Sequence, residues 1–267
     1  MTGTEWQMWR GGVRTHVRVI GALVRREMRA HFESRIGYLW ALLTPALHLG
    51  AFLLLFAVLL KRAIPIGTST SLFLLTGIVP YFLFSKMASY VSSAIGSNRP
   101  LLLLPPVKVL DVVVARLVLE ATTYLFVSFV MFSIIYMFGV SDAVPADPLA
   151  LMAACTLAIS FGLAMGLINI VLGSYIHNWL MFYGILTFPL WMFSGIFYLP
   201  EQIPQPFREY VIYNPIMHIV LLFRVSFYPT YKAPYLDVTY AVGVTIAFLA
   251  LGLALMEVAR RRVLDPL

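Results

Sequence analysis

The sequence predicts an all-α, polytopic membrane protein with six transmembrane helices, an N-terminal amphipathic helix in the membrane interface and an external re-entrant helix pair. Three observations point there. Of 267 residues, 61% are hydrophobic and 12% charged, whereas a soluble domain carries about a quarter charged residues. The apolar residues gather into runs long enough to cross a hydrocarbon core of roughly 30 Å. The basic residues sit at the ends of those runs, so a net charge of +7 is read as topology and anionic lipid rather than nucleic acid.

The chain is read as one transmembrane domain. Residues 1–35 precede the first span. Within them Val13, Val17, Ile20, Val24 and Met28 recur at helical spacing, and Arg14, Arg18, Arg25 and Arg29 form a neighbouring stripe. That pattern predicts a helix lying in the interface, the alternative being a plain topology signal. The first five spans are placed at 36–60, 72–94, 109–138, 149–172 and 179–199, and the sixth at 235–258. Residues 259–267 form a tail. Pro45, Pro80 and Pro189 fall inside spans and are expected to kink or break them. The fourth span is rich in small residues (Ala153, Ala154, Gly162, Ala164, Gly166, Gly173), which predicts close packing inside the bundle. No cleaved signal peptide is expected, because the first thirty residues lack an uninterrupted apolar region.

Orientation follows from the basic residues. With the N-terminus cytoplasmic, the inner segments carry Arg10, Arg14, Arg18, Arg25, Arg26, Arg29, Arg35, Arg99, Lys108, Arg260, Arg261 and Arg262. The outer segments carry Lys61, Arg62, Arg208, Arg224 and Lys232. The bias puts both termini in the cytoplasm.

Two links are unusual. Between the second and third spans, Leu101, Leu102, Leu103 and Leu104 lie between prolines, rimmed by Arg99 and Lys108. An apolar patch there marks a docking site for another protein, or leucines dipping into the interface. The external segment 200–234 is too long for a turn and too apolar for a solvated loop. Short helices are expected over 206–213 and 216–227, broken at Asn214-Pro215. Neither is long enough to span, hence a re-entrant pair.

Within the spans, Lys86 and Glu120 are predicted to pair. Both lie roughly 15–18 Å from the inner ends of consecutive antiparallel helices, where a lone charge costs about 2.5–3.5 kcal/mol. The alternatives are Glu120 pairing with Arg116 one turn earlier, or Lys86 facing a conduit. On the fifth span Trp179, Tyr183, Thr187, Trp191, Ser194 and Tyr198 fall on one stripe. Aromatic faces and hydroxyls suit sliding sugar rings, so Tyr183, Thr187, Trp191 and Ser194 are candidate path residues, with Tyr38, Thr44 and His48 on the first span. The alternative is interface-belt and core packing.

No phosphate-binding G-x-x-x-x-G-K-[ST], H-E-x-x-H, C-x-x-C or G-x-S-x-G occurs. The only cysteine is Cys155, and the five histidines are scattered. Neither a P-loop ATPase nor the common hydrolase and metal chemistries are expected in this chain.

Several stretches resemble the membrane subunits of type-2 ABC exporters, especially capsular polysaccharide exporters of Gram-negative bacteria. They are Arg35-Ile-Gly-Tyr-Leu-Trp-Ala-Leu-Leu-Thr-Pro45, Gly77-Ile-Val-Pro-Tyr-Phe-Leu-Phe-Ser85 and Phe197-Tyr-Leu-Pro-Glu-Gln-Ile-Pro204, then Tyr213-Asn-Pro-Ile-Met-His218 and Arg224. The resemblance implies an inner-membrane transport permease, not an enzyme. It would act as a homodimer with two copies of a separate ATPase that binds the ATP and Mg. The family's coupling segment falls on Arg99 to Lys108. The implied substrate is a lipid-linked acidic polysaccharide, passed on by a co-polymerase-type adaptor and an outer-membrane export protein. Arg25, Arg29 and Arg35 are then candidates for recruiting the anionic anchor, since a guanidinium can bond two phosphate oxygens at once, the alternative being topology and general headgroup contact. Export of O-antigen or teichoic acid, or of a drug or other small molecule, are the alternatives.

Overall fold

The computed structural model of the chain describes residues 3–32, 35–55, 65–103, 105 and 107–264. Their regular elements are all helical: α1 (Gly3–Phe32), α2 (Arg35–Leu54), α3 (Thr70–Ser97), α4 (Val109–Met137), α5 (Pro148–Tyr175), α6 (Trp179–Met192), α7 (Phe207–Ile212), α8 (Pro215–Phe227), α9 (Val238–Val258) and α10 (Arg260–Leu264). Short 3-10 turns occur at Arg99–Leu103, Ser141–Ala143 and Pro200–Gln202.

Local chemistry sets the helix starts. The Ser69 hydroxyl accepts from the Leu72 N–H to open α3, and Asp147 accepts from Leu149 and Ala150 ahead of Pro148 in α5. Asn214 caps α8 before Pro215, and Asp237 caps α9 through Tyr240. Each cap satisfies amide groups that a helix leaves unbonded at its start, and proline loses nothing at the first position.

Among the described residues, four helices, α3, α4, α5 and α9, are long and apolar enough to cross a membrane. The run expected to span over 179–199 does not continue as helix. It stops at Met192 and turns through Gly195, whose φ is +71°. At 14 residues, α6 reaches about 21 Å, short of the hydrocarbon thickness. The two short helices expected over 206–213 and 216–227 appear as α7 and α8. Pro80 does not end its helix, since α3 runs on to Ser97.

α3 is the buried centre of the bundle, with every residue from 72 to 84 shielded. It meets α5 across the small residues expected to pack inside. A Cβ on Gly162 would lie 2.6 Å from the Phe84 carbonyl oxygen, and one on Gly166 would lie 2.5 Å from Val91. Gly252 of α9 meets α5 in the same way, 3.0 Å from the Leu167 Cβ. Backbone approach of this kind maximises dispersion contact where burial from water is unavailable as a driving force. Gly166→Leu is expected to cost about 1–3 kcal/mol by overpacking and to lower the thermal midpoint of the detergent-purified protein. Gly243→Ala, where a Cβ meets nothing within 4 Å, is expected to leave it unchanged.

Candidate functional site

Polar chemistry concentrates at the two ends of the bundle. At the end shared by α1, the 99–103 turn and α10, the apolar face of α1 lies on protein. Leu23 is buried, and Val19, Ile20 and Val24 pack with Val91, Ile95, Val112 and Val113. Its arginine face, including Arg14, Arg18, Arg25 and Arg29, is exposed. Polar contacts tie the helix down. His16 Nδ1 lies 2.9 Å from Asp111 Oδ1, Arg26 donates to Asn98 Oδ1 at 3.1 Å, and Asn98 Nδ2 donates to Glu27 Oε1 at 2.9 Å. Arg116 then bridges Glu27 at 3.3 Å and Glu120 at 3.0 Å, with its guanidinium 5.3 Å from the Tyr90 ring centre.

The expected Lys86–Glu120 pair is therefore not formed. Glu120 is taken by Arg116, one turn away on its own helix, a contact that needs no registration between helices. Lys86 is half-buried, 5.7 Å from the centre of the Phe82 ring.

Arg99 and Lys108 are exposed. The leucine patch is not wholly outward: Leu101 and Leu102 are half-buried and pack against the α1–α3–α4 cluster. A 3-10 turn repeats every three residues, so consecutive leucines cannot share one face. The side chain of Leu103, Leu104, and the side chains of Arg35 and Tyr38 lie outside the described residues.

The α6 stripe turns into the subunit. Tyr183 is buried beside α5, Thr187 offers its carbonyl to the Tyr81 hydroxyl at 3.0 Å, and buried Ser194 bonds the Leu190 carbonyl. Trp191 packs edge-on to Phe197, ring centres 4.8 Å apart, and against Phe52 of α2 at 5.6 Å. The outward face carries Met181, Phe182, Ile185, Leu186, Phe188 and Met192. Within one subunit the stripe is thus core. Thr44 and His48 are exposed, and His48 Nδ1 bonds the Thr44 carbonyl at 2.9 Å.

At the opposite end, the residues carrying the family resemblance act as staples. Arg224 is fully buried. It donates to the carbonyls of Gly195, Ile196 (2.7 Å) and Tyr198 (3.2 Å), and its guanidinium lies 4.1 Å from the Phe73 ring centre. Gly77 makes room: a Cβ there would stand 2.9 Å from both Arg224 Nη2 and the Ile196 carbonyl. Arg208 donates to the Glu201 and Ile203 carbonyls and to the Tyr235 hydroxyl, and the Tyr231 hydroxyl bonds Glu201 Oε1 at 3.1 Å. His218 accepts the Asp237 N–H at Nδ1 and donates from Nε2 to the Ile212 carbonyl. That is a neutral imidazole, and burial pushes its pKa below the usual histidine value. Sequence reasoning placed Arg224 and His218 in the signature but missed this role. It also missed Glu27, Asn98 and Asp111. The signals available were a charge or amide inside apolar surroundings and a glycine, Gly77, opposite an arginine.

Among the described residues no group of three or more His, Cys, Asp or Glu side chains is placed to hold a metal.

Residues 18–228 match the family profile described as ABC-2 type transporter. The polysialic acid transport protein KpsM of Escherichia coli is 33% identical over 249 residues, 93% of this chain and 96% of that protein. The capsule polysaccharide export inner-membrane protein CtrC of Neisseria meningitidis serogroup B is 27% identical over 242 residues, 90% of each chain. BexB of Haemophilus influenzae, also described as a capsule polysaccharide export inner-membrane protein, is 25% identical over 245 residues, again 90% of each.

Arg224→Lys keeps the charge but loses the planar fork that reaches three carbonyls. Stability is expected to fall by about 2–4 kcal/mol, read as a lower thermal midpoint of the purified protein. A midpoint equal to wild type would show that the staple is dispensable.

Proposed function

This chain belongs to the ABC-2 type transporter family, and from that premise we propose that it is the inner-membrane subunit of an ATP-driven exporter of lipid-linked capsular polysaccharide. The near end-to-end match to relatives described as polysialic acid transport and capsule polysaccharide export proteins carries this reading. The acidic polymer and its lipid anchor are the finer part of the proposal.

The working unit is taken as a homodimer on two copies of a separate ATPase, which holds ATP and Mg. An inner-membrane adaptor and an outer-membrane protein carry the polymer onward. Both termini lie in the cytoplasm. Six spans are α2, α3, α4, α5, α9 and the region of α6, the last completed by the 193–199 turn. α7 and α8 form the re-entrant pair at the outer face. Support for that placement is their length: 6 and 13 residues are too few to cross.

The mechanism follows from the contacts. The ATPase docks beneath the 99–103 turn, with Arg99 and Lys108 as its exposed rim. Displacement of the turn passes to α3 directly, to α1 through Asn98, Arg26 and Glu27, and to α4 through Arg116. The exposed arginines Arg25 and Arg29 meet phosphate at the inner surface, with Arg35 next in line. Tyr38, Thr44 and His48 line the path where two subunits meet, and the α6 stripe, packed on its own subunit, reaches that path only when α6 turns about its axis. The outward apolar face of α6 is suited to that meeting.

Deleting the gene in a capsulated host should abolish surface polysaccharide and leave lipid-linked polymer inside the cell, with restoration by the wild-type chain. An unchanged capsule would overturn the reading. Arg99→Glu combined with Lys108→Glu reverses the rim charge at exposed positions. It is expected to lower co-purified ATPase about tenfold, or about 1.4 kcal/mol, without affecting membrane insertion.

A further inference from the structure

A second polar site lies at the start of α6, next to Trp179 and Tyr183 of its stripe and apart from the Glu27–Arg116–Glu120 chain. Between the ends of α3 and α5, the start of α6 and α10 is an open-sided cavity of about 320 Å³. Asn169 of α5 forms its floor and is 1% exposed. Its Oδ1 accepts the Trp179 indole N–H at 2.9 Å. Its Nδ2 faces the buried Tyr183 hydroxyl, but the two do not reach hydrogen-bond geometry, and neither atom has another partner. A buried donor without an acceptor is destabilising, so an acceptor brought into this cavity is favoured. Arg99 and Arg262 line the same space, and among the described residues no carboxylate does. Arg262 is steadied there by a 3.3 Å bond from Nε to the Ser174 carbonyl.

We propose that this cavity binds a phosphate group, presented by the headgroup of an anionic membrane lipid. Two guanidinium groups and one amide come from three separate elements, which suits a tetrahedral anion with oxygens directed several ways better than a planar carboxylate. The remaining wall includes Ile170, Leu180 and Val263. An amphiphile satisfies both surfaces, whereas a free anion satisfies only the polar one. The cavity opens at the end that carries α1 and α10, where a headgroup would lie. Only the choice of leaflet rests on the orientation proposed above; the binding itself does not depend on export.

The test uses the purified full-length chain in neutral detergent, read by thermal midpoint. Dioleoylphosphatidylglycerol, dioleoylphosphatidylcholine and inorganic phosphate are titrated in turn. Asn169→Asp keeps the acceptor for Trp179 but replaces the donor with a negative oxygen. Arg262→Gln removes one guanidinium. Gly173→Leu places a side chain on a lining glycine whose Cβ would meet nothing within 4 Å. Arg261→Gln removes the same charge from an exposed neighbour outside the cavity.

The expected result is a saturable rise in midpoint with phosphatidylglycerol and none with phosphatidylcholine or inorganic phosphate. The half-saturating concentration should rise about tenfold or more in Asn169→Asp, Arg262→Gln and Gly173→Leu, and stay unchanged in Arg261→Gln. A saturable response to inorganic phosphate with the same variant pattern would keep the phosphate site but overturn the lipid source. No response to either probe, or equal weakening by Arg261→Gln and Arg262→Gln, would overturn the proposal.

Discussion

A chain in hydrocarbon has no water to fill a gap or satisfy a stray polar group, so the bundle depends on how closely α3 meets α5. Gly162 and Gly166 allow that approach, because any side chain there would strike the α3 backbone or Val91. With α5 against it on one side, α4 and α8 also pack on α3. The result is a rod of 28 residues, about 42 Å long at helical rise and fully shielded over 72–84.

Both ends of that rod are held by polar groups that would be costly if unpaired. Just beyond its last turn, Asn98 bonds Arg26 and Glu27 of α1. Near its start, Phe73 and Gly77 receive the Arg224 guanidinium and the loop it gathers. A buried cation is tolerated because three carbonyls and an aromatic face replace its water. The rod therefore joins the 99–103 turn at one end to the α6–α8 region at the other. Arg116, held between Glu27 and Glu120, extends the same connection to α1 and α4.

Much of this was legible in the sequence because hydrophobic run length and proline or asparagine punctuation are local signals. The starts and ends of α3, α4, α5 and α9 fall close to the expected spans, and Asn214-Pro215 marks the start of α8. What was hidden depends on direction around a helix or on backbone geometry. The apolar run over 179–199 gives no sign that Gly195 adopts a positive φ, so α6 was read as too long. Matching depth suggested Lys86 and Glu120, but depth carries no azimuth, and Arg116 was nearer. The α6 stripe was visible as a periodicity, yet periodicity alone does not say which side faces the subunit's own core. Arg224 stood out in the sequence, but its partners are carbonyls, which every residue possesses and no pattern reveals.

The central claim is that α3 carries displacement as a rigid member between the docking turn and the outer staple. Spin labels at Pro100 and Tyr198, in a Cys155→Ser background and with the ATPase bound, test it most directly. The separation between the two labels in one subunit, measured by pulsed electron resonance without nucleotide and with ATP trapped, should be a single distance that stays the same. A change of several ångströms, or a second distance population on trapping ATP, would show that α3 bends or that the staple releases, and would contradict the account.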